Sequence, residues 1–124
     1  MITEKRKHLR FQVKDDAYAS LGYTFAKVGK LKDISISGLA FTYFEQTENS
    51  VQEFSKVAIF TSDNKFYLPD LSCRLIYDFP AGENNNIQYF KKAYRKKRCG
   101  VQFAATTETQ FEKLKLFINH QLED

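Results

Sequence analysis

The chain has 124 residues, a net charge of +4, 43% apolar and 27% charged residues, which allows one hydrophobic core and excludes several. No run approaches the ~20 consecutive apolar residues of a membrane-spanning helix, and Met1-Ile2-Thr3-Glu4-Lys5-Arg6 lacks the apolar stretch of a signal peptide, so a cytoplasmic address is expected. Twelve Phe and seven Tyr, with no Trp, favour strands.

In chain order, a basic N-terminal stretch with Lys5, Arg6, Lys7 and Arg10 comes first. Ala17, Ala19, Leu21, Tyr23 and Phe25 then alternate with Tyr18, Ser20, Gly22 and Thr24, which predicts one long strand with a buried face. After Gly29, an apolar stretch at 31–34 runs into Ser35-Ile36-Ser37-Gly38, and alternation resumes at Leu39, Phe41 and Tyr43: strand, tight loop, strand. Residues 45–53 are polar and turn-like. Three short strands are expected at 57–61, 65–69 and 71–79, with Pro69 ending its strand or lying on an edge. Pro80-Ala81-Gly82-Glu83-Asn84-Asn85-Asn86 reads as a loop, and 89–95 and 98–104 as two further strands.

Thr107 with Gln110 resembles a capping box, opening a helix whose Phe111, Leu114, Phe117, Ile118 and Leu122 share one stripe. Many short strands before a single helix predict an all-β chain, a closed antiparallel β-barrel with a C-terminal α-helix, rather than a βαβ layout. Internal repeats and domain linkers are absent, so residues 1–124 are taken as a single domain. Cys73 and Cys99 fall in strand segments and are expected to be reduced packing thiols.

Ten of the nineteen basic residues sit in two short segments: Lys5, Arg6, Lys7 and Arg10, then Lys91, Lys92, Arg95, Lys96, Lys97 and Arg98. Such clusters are solvated faces or the footprint of an anionic partner. The first overlaps an R-x-x-x-R pattern, Arg6-Lys7-His8-Leu9-Arg10. It is followed, one long strand later, by D-x-S-x-x-G in Asp33-Ile34-Ser35-Ile36-Ser37-Gly38 and, near the end, by Gly100-Val101-Gln102-Phe103.

With these two motifs in this order, the sequence resembles the PilZ domain family over nearly its whole length. The resemblance implies a six-stranded β-barrel that binds cyclic di-GMP, with residues 1–11 as a ligand-binding arm, 12–105 as the barrel and 107–122 as the helix. Residue by residue, it carries the arm arginines onto Arg6 and Arg10, and the loop positions onto Asp33, Ser35 and Gly38. Lys5, Lys7, His8 and Ser37 are accessory candidates. The middle strands and the basic segment 91–98 diverge, leaving accessory contacts and stoichiometry open. The resemblance further implies a receptor that changes conformation and signals to an unidentified effector protein, with no cofactor and no metal.

The chemistry of the residues agrees. A guanidinium meets guanine O6 and N7 bidentately, pairs with phosphate oxygens or stacks on a base, which suits a ligand with two guanines and two phosphodiesters. The Asp33 carboxylate offers acceptors to guanine N1–H and N2–H2, the Ser35 hydroxyl gives or accepts one bond, and Gly38 lets the backbone turn tightly or approach closely. Each residue also has a bland role. The arginines by themselves read as solvated terminal charges, Asp33 and Ser35 as turn formers, Gly38 as a bulge residue, Gly100 as structural, and His120 as a favourable charge at a helix end.

Three other functions compete. An enzyme needs convergent groups, whereas His8, Cys73, Cys99 and His120 are scattered and no G-x-S-x-G pattern occurs. A nucleic-acid-binding barrel would use the basic clusters with Phe11, Tyr18, Tyr89, Phe90 and Tyr94, but the charge is low and Asp33 lies within the candidate site, so no nucleic acid is expected. A protein-interaction adaptor with the same barrel and no nucleotide is disfavoured by the intact arm and loop residues. The arm up to Phe11 is expected to become ordered only around ligand.

Overall fold

Alternation in the sequence becomes inward and outward faces: Ala17, Ala19 and Leu21 of β2 (Ala17–Leu21) and Val57 and Ile59 of β5 (Lys56–Thr61) are all buried. This computed structural model describes residues 9–14, 16–22, 27–46, 56–81, 86–89 and 92–122, with backbone only at 46, 86–89 and 92–94. The remaining elements are β1 (Phe11–Gln12), β3 (Lys27–Ser35), β4 (Gly38–Gln46), β6 (Tyr67–Pro80), β7 (Asn86–Tyr89), β8 (Lys92–Phe103) and α1 (Glu108–Leu122). Six strands form an antiparallel ring in the order β3-β2-β5-β6-β8-β4, and β4 closes it by pairing back onto β3. Closure removes the sheet edges that would otherwise invite pairing with another chain. β1 adds to β3 beyond the end of β2, with Phe11 opposite Ile34, and β7 adds to β8.

The barrel interior is filled by Leu31, Ile34, Leu39, Phe41, Leu71 and Val101, together with Leu114, Phe117 and Ile118 of α1. The helix begins at the expected capping box: Gln110 N donates to Thr107 Oγ1 at 3.1 Å and Thr107 N donates to Gln110 Oε1 at 3.0 Å. Its packed stripe differs from expectation at the end. Leu122 is 56% exposed, and Gln121 turns inward instead, accepting a bond from Lys14 N at 2.8 Å that ties the helix to the segment between β1 and β2. Phe66 meets Phe117 with ring centroids 4.9 Å apart, fixing the other side of the helix.

Three strand expectations need correction. The strands expected at 65–69 and 71–79 are one, β6, because Pro69 and Asp70 form a bulge opposite Ala58, between the pairs Ile59↔Leu68 and Val57↔Leu71. Asp70 takes a positive φ of 59° there, and a bulge is where a missing N–H costs no ladder bond. The strands expected at 89–95 and 98–104 are replaced by β7 and the single long β8, so Lys96 and Lys97, expected between two strands, lie within a paired one. β2 stops at Leu21, and 23–26, like 82–85 of the expected loop, lie outside the described residues. The cysteines are free and buried, and burial pushes the Cys73 thiol up to about 11 and the Cys99 thiol to about 12.

Candidate functional site

The D-x-S-x-x-G segment is the hairpin joining β3 to β4. Ser35 pairs with Gly38 across a two-residue turn of Ile36 and Ser37. The Ser35 hydroxyl is buried and builds that turn: it accepts from Ser37 N at 3.1 Å, shares a hydrogen bond with Ser37 Oγ at 3.0 Å and donates to Gly38 O at 3.5 Å. The turn is tied to β8 by Phe103 N donating to Ser37 O at 2.8 Å. Gly38 is required by this docking, because a Cβ would run into the Val101 carbonyl oxygen. Ser35 and Gly38 thus set the shape of the hairpin, and the irregularity between Leu31 and Asp33 turns Asp33 outward while Leu31 and Ile34 fill the core.

On the outer face Asp33 is held by two arginines. Arg10 Nη1 donates to Asp33 Oδ1 at 2.7 Å, and Arg98 Nη2 donates to Asp33 Oδ2 at 2.7 Å. The three side chains are 22%, 18% and 33% exposed for Arg10, Asp33 and Arg98, so the cluster is reachable from solvent but partly shielded. Two guanidiniums around one carboxylate leave net positive charge on this face, suited to an anion. Burial alone would lower the Arg98 pKa, but the neighbouring Tyr77 side chain and the pairing with Asp33 outweigh that and raise it.

The structure therefore brings Arg10, Asp33, Ser35, Ser37 and Gly38 to one place, whereas Arg6, Lys5, Lys7 and His8 lie outside the described residues. Phe11 and Arg10 are already fixed, one in the ladder with Ile34 and the other on Asp33, so the expected freedom of the arm does not extend to them. Arg98 was missed by motif reading, which took residues 91–98 as a charged run. A signal was present: counting back by twos from the inward Val101 and Cys99 places Arg98 on the outer face and Lys97 inside.

Lys97 belongs to a second polar cluster inside the barrel. Lys27 Nζ donates to Asp78 Oδ2 at 2.6 Å, and the Tyr43 hydroxyl donates to Asp78 Oδ1 at 2.7 Å. Lys97 Nζ lies 3.4 Å from Asp78 and 3.6 Å from Glu45, and Arg95 Nη2 reaches Glu45 at 3.3 Å. Burial pushes the Asp78 carboxyl up, but hydrogen bonds from Lys27 and Tyr43 and the nearby Lys97 hold it below its ordinary value. Burial, then the Asp78 carboxylate, push the Tyr43 phenol far above its ordinary value. Since Arg95, Lys97 and Arg98 all have carboxylate partners, the segment offers less free charge to a phosphate backbone than its composition suggests. Among the described residues no His, Cys, Asp and Glu side chains are grouped to hold a metal, and no helix is long and apolar enough to cross a membrane.

A six-stranded antiparallel ring, the D-x-S-x-x-G hairpin on its rim and a helix after the last strand define the PilZ-domain fold, and this chain has it. The PilZ domain of YcgR from Escherichia coli, solved with c-di-GMP, matches 96% of this chain and 92% of its own length with a TM-score of 0.66 at 13% identity. MrkH from K. pneumoniae, in complex with c-di-GMP, matches 98% of this chain with a TM-score of 0.63 at 14% identity. A structure of YcgR in complex with c-di-GMP matches 94% with a TM-score of 0.58 at 12% identity. The chain spans about half of these last two, 54% of MrkH and 46% of YcgR. At such identities the likeness is one of fold; no family model matches the sequence, and no curated protein matches it.

Proposed function

We propose that this chain is a receptor domain for cyclic di-GMP, which it binds on the outer face of the barrel with Arg6, Arg10, Asp33, Ser35 and Gly38 and does not hydrolyse. The observation that carries this reading is the meeting of the two motifs. Arg10 of R-x-x-x-R and Asp33 of D-x-S-x-x-G, 23 residues apart, form a 2.7 Å charge-assisted hydrogen bond on a partly open surface. The fold adds support, since the YcgR domain and MrkH that share it are solved with this ligand. Arg98 joins the motif residues as the second arginine bound to Asp33.

Both Asp33 oxygens are occupied by guanidiniums, so an incoming guanine edge or phosphate competes with an existing pair. That exchange, with Lys5, Lys7, His8 and Ser37 as accessory contacts, is the conformational step by which the domain would signal to an effector protein. Isothermal titration of the purified chain with cyclic di-GMP tests the reading. Saturable heat without product is expected, and no saturation at ligand concentrations of about several hundred micromolar would overturn it.

A further inference from the structure

Four neighbouring strands present small or polar residues on the face that carries Asp33. In the order β3, β4, β8, β6, Asp33 lies opposite Ala40, Ala40 opposite Gly100, and Gly100 opposite Tyr77. At a strand spacing of about 4.8 Å, this row spans roughly 14 Å between two functional walls, with Ala40 and Gly100 buried between them. One wall is the Asp33 carboxylate with Arg10. The other is an aromatic pair: Tyr77 and Phe79 stack with ring centroids 5.0 Å apart and planes 21° apart. Arg98, opposite Phe79 on β8, reaches from this wall across to Asp33.

The Tyr77 ring lies down against β8. A Cβ at Gly100 would strike the Cδ2, Cε2 and Cζ atoms of the ring, so glycine there is what allows the ring to rest on the strand. Phe79 is 45% exposed and Tyr77 half-buried, a surface unlike the covered aromatics of the core. A planar aromatic surface beside a fixed guanidinium supplies the two elements of base recognition. Stacking is indifferent to the base, whereas the guanidinium is selective: guanine turns two acceptors, O6 and N7, toward it, while adenine offers one acceptor and one repelling donor.

We propose that Tyr77 and Phe79 form the base-stacking surface of this site, taking a guanine whose O6 and N7 edge is read by Arg98. This rests on the reading of the site as a cyclic di-GMP receptor. Arg98 already stands between the two halves, since it lies opposite Phe79 on the neighbouring strand and donates to Asp33 at 2.7 Å.

The full-length chain is titrated with cyclic di-GMP and with cyclic di-AMP as unmodified protein, Tyr77→Leu, Phe79→Ala, Arg98→Lys and Tyr77→Trp. Loss of stacking in Tyr77→Leu should weaken cyclic di-GMP binding roughly 5- to 150-fold. Arg98→Lys should reduce the preference for cyclic di-GMP over cyclic di-AMP, a readout that a merely structural role for the face would not move. The chain has no Trp, so Y77W adds a single indole; it should retain binding, and its emission should change on saturation with ligand. Unaltered affinity in Tyr77→Leu and Phe79→Ala, or an unchanged Y77W emission at saturation, would overturn the stacking assignment while leaving the receptor intact. Absence of binding by the unmodified chain would instead remove the receptor reading, and this inference with it.

Discussion

Consecutive residues of β8 serve two polar clusters of opposite character. Lys97 points into the barrel, where side chains of Lys27, Asp78, Glu45 and Lys97 are no more than 13% exposed, and Arg98 points out to Asp33, where solvent reaches. Inside, water cannot replace a lost partner, so the cluster acts on stability. Outside, water and salt can, and the same kind of ion pair contributes little to folding while remaining free to exchange for a ligand. One strand thus separates holding the barrel together from the proposed recognition, and the period of two makes the separation possible.

The sharpest way to break this contrast is at Asp78. Asp78→Ala leaves Lys27 and Lys97 without their shared carboxylate and should cost about 3 kcal/mol of stability in denaturant unfolding. Cyclic di-GMP affinity should change less than about threefold in the protein that remains folded. A loss of affinity larger than the loss of stability would show that the inner cluster reports directly on the site.

The outer site should behave in reverse. Arg10→Ala is expected to weaken cyclic di-GMP by about 2 kcal/mol or more, over tenfold, with unfolding free energy within about 1 kcal/mol of the unmodified chain. Arg10→Lys should bind nearly as poorly, because the planar fork and stacking face are lost although the charge is kept. Titration calorimetry alongside denaturant unfolding gives both numbers; a lysine variant that binds normally would reduce the arm to an electrostatic lure.

Acid distinguishes the clusters more gently. Since the Asp78 pKa lies below its ordinary value of 3.8 in the folded chain, its contribution is fully present above that value and is lost as pH falls through the folded one. Stability should therefore drop below about pH 4, and Asp78→Asn should flatten that acid limb while shifting the neutral plateau downward. Parallel acid limbs in the two proteins would remove Asp78 from the account.

The smallest effect belongs to Lys96, which the alternation of β8 puts on the outer face with Arg98, opposite the exposed Phe44. Lys96→Ala should change cyclic di-GMP affinity by less than about threefold at physiological salt, with a larger change at low salt, as for a screened rim charge. A tenfold loss at high salt would place the ligand farther along β8 than proposed.

What could be read from the sequence was local. The capping box of Thr107 and Gln110, the tight turn at 35–38 and the alternation of Ala17, Ala19 and Leu21 depend on neighbours a few residues away, and all three occur. The family resemblance put Arg10 and Asp33 in one ligand site but not in contact with each other; their direct bond is legible only in the fold, since nothing in spacing alone demands it. Arg98 was hidden because its partner lies 65 residues away, across a register fixed only when β4 pairs with β8. Pro69 misled for a related reason: a bulge depends on the partner strand, so the sequence of β6 alone cannot distinguish a strand end from an extra residue absorbed within one. At the end of α1, Leu122 fits the apolar stripe by type, but Gln121 has a backbone N–H to satisfy and takes the inward position.

The β4–β8 seam also bears on when the molecule acquires its site. Gly38 pairs with Gln102 and Gln46 with Tyr94, partners far apart in sequence, and closing such loops places barrels among the slower folders, on the order of milliseconds to seconds. Asp33 and Arg98 sit on the strands flanking β4, so their contact spans the seam. A ribosome-bound chain that has not yet emerged as far as β8 already contains R-x-x-x-R and D-x-S-x-x-G but cannot assemble the pair of guanidiniums around one carboxylate. Until β8 has paired with β4, the outer cluster of Arg10, Asp33 and Arg98 is incomplete, so the proposed receptor site cannot precede closure of the barrel.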